Sequence, residues 1–592
     1  MVTVNGTNGQ TVSQSEEPLW PSTNARGYSI PNQPSGTLHH RKVICVGAGI
    51  SGICLAHEVS TQGENLDLVI YDVASGYGGT WFWNTYPGCR CDVPAHNYQL
   101  PWAANPDWTE FYATAPEIQR YYAKVVEDHD LAKYINLEHE VIKAEWQDDR
   151  SKWVVTVRGP DGREFTDEGD IFINASGILN SYKWPKIPTL KKFKGALVHT
   201  ARWPQDLEWK GKKIAVLGSG SSGIQILASM QPEADHIFHW IRSPTWITSA
   251  FAQQFAGPNG TNFAYTEEQR KRFREDPQHA LKYRKMMESE LNQRFKFIVQ
   301  GTPEQKASLE YANKDMRQRL KYNQRLIDAI VPTTFNVGCR RPTPGMGYLE
   351  ALLEPNVTTY TEMFKEITEE GFVQPDGTEE KVDIFICATG FDTTFRPKFP
   401  IIGSNGINLQ DKWKDYPVDA YMAVTVADMP NYFIYYGPYG PNGHGSGAPM
   451  IDVISRSFMK IIQKIQRENI TSMQIKKKAT EDFVEHAKLY LKRTAWAQTC
   501  SSWFKPPGQE AADPIMHPGN RILFIEQMEN PRWEDYDYTY GYANNRFGCW
   551  GNGFTIREED GRDTTWYYGL LENTDTQPDY SDIRPMYSQM MA

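Results

Sequence analysis

Short runs of apolar residues, each followed by glycines or other small residues, recur along the chain. The first run, Val43–Val46, leads into the turn Gly47–Gly52, and helical spacing then extends from Ile50 to Gln62. A second run, Leu68–Tyr71, stops at Asp72. Apolar runs of this length beside glycine turns are typical of buried parallel strands. The stretch therefore predicts a strand, a helix and a second strand in series.

The glycine turn in this unit predicts a dinucleotide site. Gly47, Gly49 and Gly52 have the spacing that gives a tight turn, a close approach to a pyrophosphate and close packing of helix on strand. The helix that follows offers free N–H groups and the positive end of its dipole to that pyrophosphate. Asp72, at the end of the second strand, is expected to bond the adenosine ribose hydroxyls.

The same pattern returns after Lys212, with a strand over Lys213–Leu217 and a helix reaching Met230. The turn between them consists of Gly218, Ser219, Gly220, Ser221, Ser222 and Gly223. The next strand, from His236 to Ile241, ends at Arg242 and not at an acid. An arginine pairs with a 2′-phosphate that a carboxylate would repel, so this site is expected to take NADP and the first FAD. The alternative is that Arg242 is a solvated surface charge.

The remaining pattern predicts an α/β protein with two Rossmann-like dinucleotide-binding domains. Buried strands at 170–177 and 383–392 both end in small residues, and both are expected to return the chain to the first domain. Dense charge at helical spacing predicts a helical insertion in the second domain. The expected order is a polar N-terminal extension (1–40), the first part of the FAD-binding domain (41–180), the NADP-binding domain (181–382) with its insertion at about 265–331, and the second part of the FAD-binding domain with a C-terminal extension (383–592).

Composition excludes several classes of protein. A net charge of −10, from 72 acidic and 62 basic residues, argues against a nucleic-acid coat. No window approaches the ~20 uninterrupted apolar residues of a membrane span. The eight cysteines include no Cys-x-x-Cys pair, so a reduced chain located in the cytoplasm is expected.

Two further motifs carry a family resemblance. The first consists of Gly78, Gly79, Trp81, Tyr86, Pro87, Gly88 and Asp92, and the second of Phe193, Gly195, His199, Trp203 and Pro204. Both have the spacing found in the Baeyer–Villiger monooxygenases, and the chain resembles the long, fungal-type members of that family. Gln205 departs from the Asp or Gly that usually follows the second motif.

The resemblance implies an FAD enzyme that uses NADPH and O2 to convert a small-molecule ketone to an ester or lactone. In that chemistry a C4a-peroxyflavin attacks the ketone carbonyl, and the tetrahedral adduct rearranges. The oxyanion of the adduct needs a fixed cation. The chain is expected to bind no nucleic acid and to be a monomer or a weak homo-oligomer.

The resemblance also implies roles for individual residues. Arg341 corresponds to the active-site arginine, which Asp92 would hold in place. Arg340 lies where relatives bind the 2′-phosphate of NADP, together with Arg242 and Ser243, and Trp503 would border the nicotinamide. The residues implied at the flavin are Thr80, Trp81, Asp92, Tyr98 and, through its backbone, Val141. His199 is implied in domain motion and is not assigned proton transfer, and Asp72 replaces the more usual Glu.

Three alternatives remain open at this point. A related flavin enzyme that oxygenates nitrogen or sulfur shares the two folds and a variant of the second motif. A disulfide reductase needs a redox cysteine pair, whereas Cys89 and Cys91 are only Cys-x-Cys. A non-catalytic FAD-binding protein would not need Asp92, Arg341 and Trp503 together.

Overall fold

The structure is a computed structural model that describes residues 22–248, 251–414, 418–443, 445–542 and 545–581. The larger of two compact units contains His40–Ile461 and Ser472–Asp537. The smaller is formed by the segments up to His39, Ile462–Thr471, and the chain from Tyr538 onward, as far as these are described. Among the described residues, no helix combines the length and the apolar character needed to cross a membrane.

The secondary structure alternates short strands with helices of up to five or six turns. The strands are β1 (Arg41–Val46), β2 (Leu66–Tyr71), β3 (Ile135–Asn136), β4 (Glu140–Gln147), β5 (Lys152–Arg158), β6 (Glu164–Gly169), β7 (Ile171–Asn174), β8 (Ala196–His199), β9 (Lys213–Leu217), β10 (His236–Trp240), β11 (Ile247–Thr248), β12 (Thr343–Pro344), β13 (Val357–Tyr360), β14 (Glu366–Ile367), β15 (Gly371–Val373), β16 (Glu379–Lys381), β17 (Ile384–Cys387), β18 (Ile401–Ile402), β19 (Tyr432–Ile434), β20 (Ile470–Ile475) and β21 (Tyr536–Tyr540). The helices are α1 (Ile50–Gln62), α2 (Thr80–Trp83), α3 (Ala115–Asp128), α4 (Ser221–Met230), α5 (Glu267–Glu275), α6 (Pro277–Gln293), α7 (Pro303–Arg319), α8 (Gln324–Ile330), α9 (Tyr348–Ala351), α10 (Leu409–Lys412), α11 (Ala448–Arg467), α12 (Lys477–Leu491) and α13 (Arg521–Glu529).

The first glycine turn lies at the centre of a parallel sheet with the strand order β19-β7-β1-β2-β3. β1 pairs in parallel with β2 on one side and with β7 on the other. Nearly every residue of β1 is buried, as expected for a strand covered on both faces. The predicted helix over Ile50–Gln62 and the predicted return of the 170–177 strand to this sheet are both confirmed.

The second glycine turn lies in another parallel sheet, with the order β13-β10-β9-β17-β8. Here one prediction is wrong: β17, from the 383–392 stretch, pairs with β9 and β8 and does not return to the first sheet. The second sheet therefore extends past residue 382, where the domain boundary was expected. A buried apolar run that ends in small residues suits the centre of either sheet, and its pattern does not specify the partner strands. The returning strand is β19, which pairs with β7.

The predicted helical insertion is formed by α5, α6, α7 and α8, which lie between β11 and β12. Each of these helices begins at a side-chain cap, which explains where it starts. The capping residues are Thr266, Asp276, Thr302 and Asn323. The last helix of the insertion ends at Ile330, and Arg341 follows in the connection to β12.

The smaller unit joins the described part of the N-terminal extension to the C-terminal extension. Isolated bridges pair Pro34 with Gly551 and Ser35 with Thr555. Asn552 N also donates to Gln33 O at 2.9 Å. Residues 1–21 of the predicted extension lie outside the described residues.

A disulfide joins Cys339 to Cys500, which are 161 residues apart in the sequence. Both cysteines are almost completely buried. The prediction of a fully reduced chain is therefore wrong, because spacing along the sequence does not show which distant cysteines the fold brings together. The disulfide connects the segment that carries Arg340 and Arg341 to the segment that carries Trp503.

Removing this cross-link is expected to destabilise the larger unit. Cys500→Ser releases a long loop in the unfolded chain, which lowers the free energy of unfolding by on the order of 2–4 kcal/mol. Differential scanning calorimetry without reductant measures the change. Cys549→Ser, at a half-exposed free thiol, is the control and should leave the transition unchanged. Rapid alkylation of both Cys339 and Cys500 in non-reduced native protein would contradict the cross-link.

Candidate functional site

The first glycine turn forms a cradle with backbone walls. Gly47 has a φ of 112°, and a Cβ there would lie 2.4 Å from Ala175 O. α1 begins after Gly49 with no side-chain cap, so the N–H groups of its first turn remain available to an anion. A Cβ on Gly79 would lie 2.9 Å from the Cα of Gly49. The glycine turn and the loop that carries Gly79 therefore leave room only for backbone atoms, which suits the binding of a pyrophosphate through backbone N–H groups.

Asp72 closes the edge of this cradle at the end of β2. Its two carboxylate oxygens accept hydrogen bonds from Ala48 N at 2.6 Å and Ala74 N at 2.7 Å. Burial raises the pKa of Asp72 above its usual value, and the two backbone donors oppose that rise. Asp72 thus fixes the shape of the turn. Its contact with a ribose stays a prediction.

The second glycine turn repeats the geometry of the first. Gly218 has a φ of 110°, and a Cβ there would lie 2.5 Å from Ala388 O. α4 begins after Gly220, again without a side-chain cap. A Cβ on Gly223 would lie 2.0 Å from Gly218 O. The predicted turn from Gly218 to Gly223, including Ser219, Ser221 and Ser222, therefore forms a second cradle at the end of a central parallel strand.

A cluster of positive charge lies beside the second cradle. Arg340 Nη2 donates to Ser243 Oγ at 3.2 Å, while its buried Nε has no hydrogen-bond partner among the described residues. Burial lowers the pKa of Arg340. The negative charge of Glu510 raises that pKa in part, and the positive charge of Arg242 lowers it further. Two like charges with an unused buried donor suit a bound anion.

An open cavity adjoins this cluster at the ends of β10 and β13. Its volume is about 580 Å³, and its walls include Arg242, Tyr360 and Gln374. A space of this size, next to the two guanidinium groups, suits an adenosine that carries an extra phosphate. The donor set and the cavity therefore fit NADP.

Arg341 and Asp92 form a bidentate ion pair. Arg341 Nε and Nη2 each donate to one oxygen of Asp92 at 3.1 Å. The side chains are only 24% and 28% exposed. Burial lowers the pKa of Arg341, but the attraction of Asp92 outweighs it and the pKa is raised, so the guanidinium stays charged. The expectation that these residues face each other across the chain is confirmed.

One aromatic ring contacts Arg341, and two others belong to the stretch of chain that carries Asp92. The Arg341 guanidinium lies 5.1 Å from the ring centroid of Phe251. Trp81 Nε1 donates to Tyr98 Oη at 3.1 Å, and Tyr98 is one of the groups that raise the pKa of Arg341. Thr80 begins α2 immediately before Trp81. Thr80, Trp81 and Tyr98 thus come from the same stretch of chain as Asp92, whereas Phe251 contacts Arg341.

Two other predicted residues are not brought to the ion pair by any described contact. Trp503 is partly buried, and its ring centroid lies 4.7 Å from that of Phe504. Val141 lies on β4, in the core cluster that also contains Ile44 and Tyr71. Their proposed contacts with nicotinamide and adenine stay predictions.

His199, from the second motif, lies at the end of β8, the edge strand of the second parallel sheet. Its ring stacks on Tyr182 with centroids 4.5 Å apart, and Nδ1 accepts from Ala201 N at 3.2 Å. Burial, helped by the charge of Arg202, lowers its pKa to about 4. His199 is therefore neutral near pH 7 and packs where the chain passes from one sheet to the other.

Sequence reasoning missed Phe251 and Tyr436. The ring of Phe251 lies against the Arg341 guanidinium. Tyr436 is buried, and the charge of Arg341 opposes the rise that burial causes in its pKa. Tyr436 precedes a run rich in glycine and proline that begins at Gly437. That run was the available signal, because such segments often carry binding sites.

The fold holds two cradles for dinucleotides, one with a carboxylate edge and one with an arginine edge. Together with the Arg341–Asp92 pair, which is about three-quarters buried, they define a flavin-dependent oxidoreductase that uses a pyridine nucleotide. Residues 95–340 match the flavin-binding monooxygenase-like family, and residues 45–115 match the NAD(P)-binding Rossmann-like domain.

Comparison with individual proteins refines this class. The chain is 40% identical to the FAD-binding monooxygenase tazF of Aspergillus terreus, over 89% of this chain and 94% of that protein. It is 30% identical to a Baeyer–Villiger monooxygenase of Pseudomonas aeruginosa, over 81% and 89%. The chain therefore belongs to the FAD-binding Baeyer–Villiger monooxygenases, and its cofactors are FAD and NADPH.

The fold agrees with solved structures of the same class. The crystal structure of cyclohexanone monooxygenase from Rhodococcus sp. Phi1 bound to NADP+ superimposes with a TM-score of 0.73 at 23% identity, over 86% of this chain and all of that chain. At this identity the likeness concerns the fold. It confirms the predicted α/β class with two Rossmann-like domains.

Proposed function

We propose that the protein oxidises a ketone to an ester or lactone with NADPH and O2, and that Arg341 is the catalytic residue. The observation that carries the proposal is the bidentate pair of Arg341 and Asp92. When bound and reduced by NADPH, FAD supplies the activation of O2. The protein's own residues must then bind the ketone, hold the negative charge that develops on its oxygen, and exclude water.

Arg341 suits the second of these tasks. Its guanidinium has five N–H donors in a fixed plane, and Asp92 uses those of Nε and one on Nη2. The others remain available to a carbonyl oxygen whose charge grows as the adduct forms. Asp92 holds the plane of the guanidinium, so the donors need not reorganise during the reaction.

The surroundings of the pair suit the exclusion of water. The ring of Phe251 lies against the Arg341 guanidinium, and the two charged side chains are about three-quarters buried. Lower exposure strengthens every electrostatic interaction inside the site.

Oxygenation of an amine or a sulfide is less well supported. Attack by nitrogen or sulfur on the activated oxygen leaves no oxyanion on the substrate carbon, so it does not need a fixed cation beside the flavin. A buried guanidinium held by a carboxylate is costly to place, and its presence supports a reaction that uses it. The pair therefore supports the ketone reaction over the alternative.

Arg341→Ala is expected to abolish ester formation, because the charge on the adduct loses its donor. Removal of one such donor lowers rates by about 10²–10³-fold, and here a full charge is also lost. Gas chromatography of products from a panel of cyclic, linear and aryl ketones measures the ester. Reduction of the bound flavin by NADPH, followed by its absorbance, should persist in the variant and is the internal control. Ester formation by Arg341→Ala at the wild-type rate would remove the proposed role. A wild type that makes no ester from any of the ketones would argue against the proposed function.

Arg242→Ala is expected to raise the KM for NADPH by about 10–100-fold, since a charge-assisted phosphate contact contributes about 1.5–3 kcal/mol. The KM for NADH should change little, because NADH lacks the 2′-phosphate. Steady-state absorbance at 340 nm measures both. Arg319→Ala is the control, because Arg319 pairs with Glu350 and does not line this cavity. Equal effects of Arg242→Ala on the two cofactors would contradict the assignment.

We further propose that the protein works in the cytoplasm as a monomer or a weak homo-oligomer. The need for NADPH, which is regenerated inside cells, supports the location. The net charge of −10 supports weak self-association. Cell fractionation and light scattering after size-exclusion chromatography measure the two properties. A stable oligomer at nanomolar protein would contradict the second.

A further inference from the structure

A fully buried arginine packs against the glycine-rich loop that follows Tyr436. Arg521 is the first residue of α13, and its side chain has no exposed surface. It belongs to neither family motif, and the proposed function does not use it. A guanidinium buried to this degree is costly unless it is paired and hydrogen-bonded.

Arg521 packs directly against the backbone of a glycine-rich loop. Its Nη2 donates to Ser446 O at 2.9 Å. Gly445 has a φ of 72°, and a Cβ there would lie 2.2 Å from Arg521 Nη1. Any side chain at residue 445 would therefore displace the guanidinium. The close contact exists because residue 445 is glycine.

Glu288, on α6, completes the interaction. Its Oε1 lies 3.0 Å from Arg521 Nη1, and its Oε2 accepts from Asn97 Nδ2 at 2.8 Å. Ser446 Oγ donates to Asn97 O at 2.8 Å. Arg521, Glu288, Asn97 and Ser446 thus form a closed ring of contacts, and Asn97 immediately precedes Tyr98 of the site.

The loop held by this ring is rich in glycine. Between residues 437 and 447 the glycines are Gly437, Gly440, Gly443, Gly445 and Gly447. Glycine loses more backbone entropy on ordering than any other residue, so a wall built from such a loop needs an external constraint. Arg521, held by Glu288, supplies that constraint through its hydrogen bond to Ser446 O.

Tyr436 directly precedes the loop and contacts two of its residues. Its hydroxyl lies 3.4 Å from Gly447 O, and its ring lies 3.4 Å from where a Cβ on Gly440 would be. Burial raises the pKa of Tyr436, and the charges of Arg521 and Arg341 oppose that rise. Tyr436 therefore packs against the loop at Gly440 and approaches Gly447 with its hydroxyl, and the charges of both arginines act on it.

We propose that Arg521, paired with Glu288, is a positioning residue. It fixes Tyr436 and the described residues of the 437–447 loop (437–443 and 445–447) as a wall of the ketone site, and so determines which ketones fit. The proposal rests on the proposed ketone oxidation. Arg521 acts through the loop and does not itself touch the reacting atoms.

The test compares three variants. Arg521→Met with Glu288→Met removes both charges together, which buried pairs tolerate better than the loss of one partner. Arg521→Lys keeps the charge without the planar fork that reaches both Glu288 and Ser446. Arg319→Met is the matched control, because Arg319 is a partly buried arginine paired with Glu350 elsewhere in the larger unit.

The first measurement is hydrogen exchange of peptides covering residues 437–447 in the FAD-loaded protein, which requires no turnover. We expect exchange to be faster by about tenfold in the double variant, intermediate in Arg521→Lys and unchanged in Arg319→Met. Peptides from α1 should not change in any of them. Unchanged exchange of the loop in the double variant would overturn the positioning role.

The second measurement is the ratio of kcat/KM for cyclohexanone to that for 2-dodecanone. We expect this ratio to change by about fivefold or more in the double variant, with partial recovery in Arg521→Lys. A loosened loop with an unchanged ratio would overturn the role in specificity. If wild type oxidises neither ketone nor any other in the panel, the proposed function fails, and hydrogen exchange alone then decides whether Arg521 positions the loop.

Discussion

The ion pair of Arg341 and Asp92 sets the requirements for much of the surrounding structure. The partners come from loops 249 residues apart, so neither loop alone contains the site. A bidentate geometry tolerates little displacement of either partner. Asp92 is fixed by the loop that follows the first cradle, whereas Arg341 arrives after the helical insertion. The disulfide of Cys339 lies two residues before Arg341 and ties that return to a distant segment.

The two cradles share the same close approach of backbone to backbone and differ in the charge of the residues at their edge. In both, a glycine with positive φ meets the carbonyl of an alanine at the end of the next parallel strand, Gly47 with Ala175 and Gly218 with Ala388. Backbone that approaches backbone this closely leaves room for a ligand at the helix N-terminus. The edges differ, with the carboxylate of Asp72 at the first and arginines at the second, and this difference is the basis for assigning FAD to the first cradle and NADP to the second.

Local features of this structure could be predicted from the sequence, and pairings between distant segments could not. The bounds of α1 follow from glycine and apolar spacing. The facing of Asp92 and Arg341 followed from family motifs, which carry information about distant contacts. β17 was assigned to the wrong sheet because an apolar run before small residues fits both sheets equally well. The disulfide was missed for a similar reason, since its cysteines meet only in the folded chain. Arg521 gave no signal, because a single arginine in a polar tail looks solvated until its burial is known.

None of the ionisable groups described near Arg341 is suited to take up a proton at pH 7. Burial raises the pKa of Tyr98 and of Tyr436, so both phenols stay neutral near pH 7. Both carboxylate oxygens of Asp92 accept hydrogen bonds from Arg341, which keeps its charge. A site that abstracts a proton needs a free base with a pKa near the working pH. A site that stabilises a growing negative charge needs fixed donors in a poorly hydrated space. The residues around Arg341 meet the second requirement, which is why the geometry favours addition to a carbonyl over proton abstraction beside it.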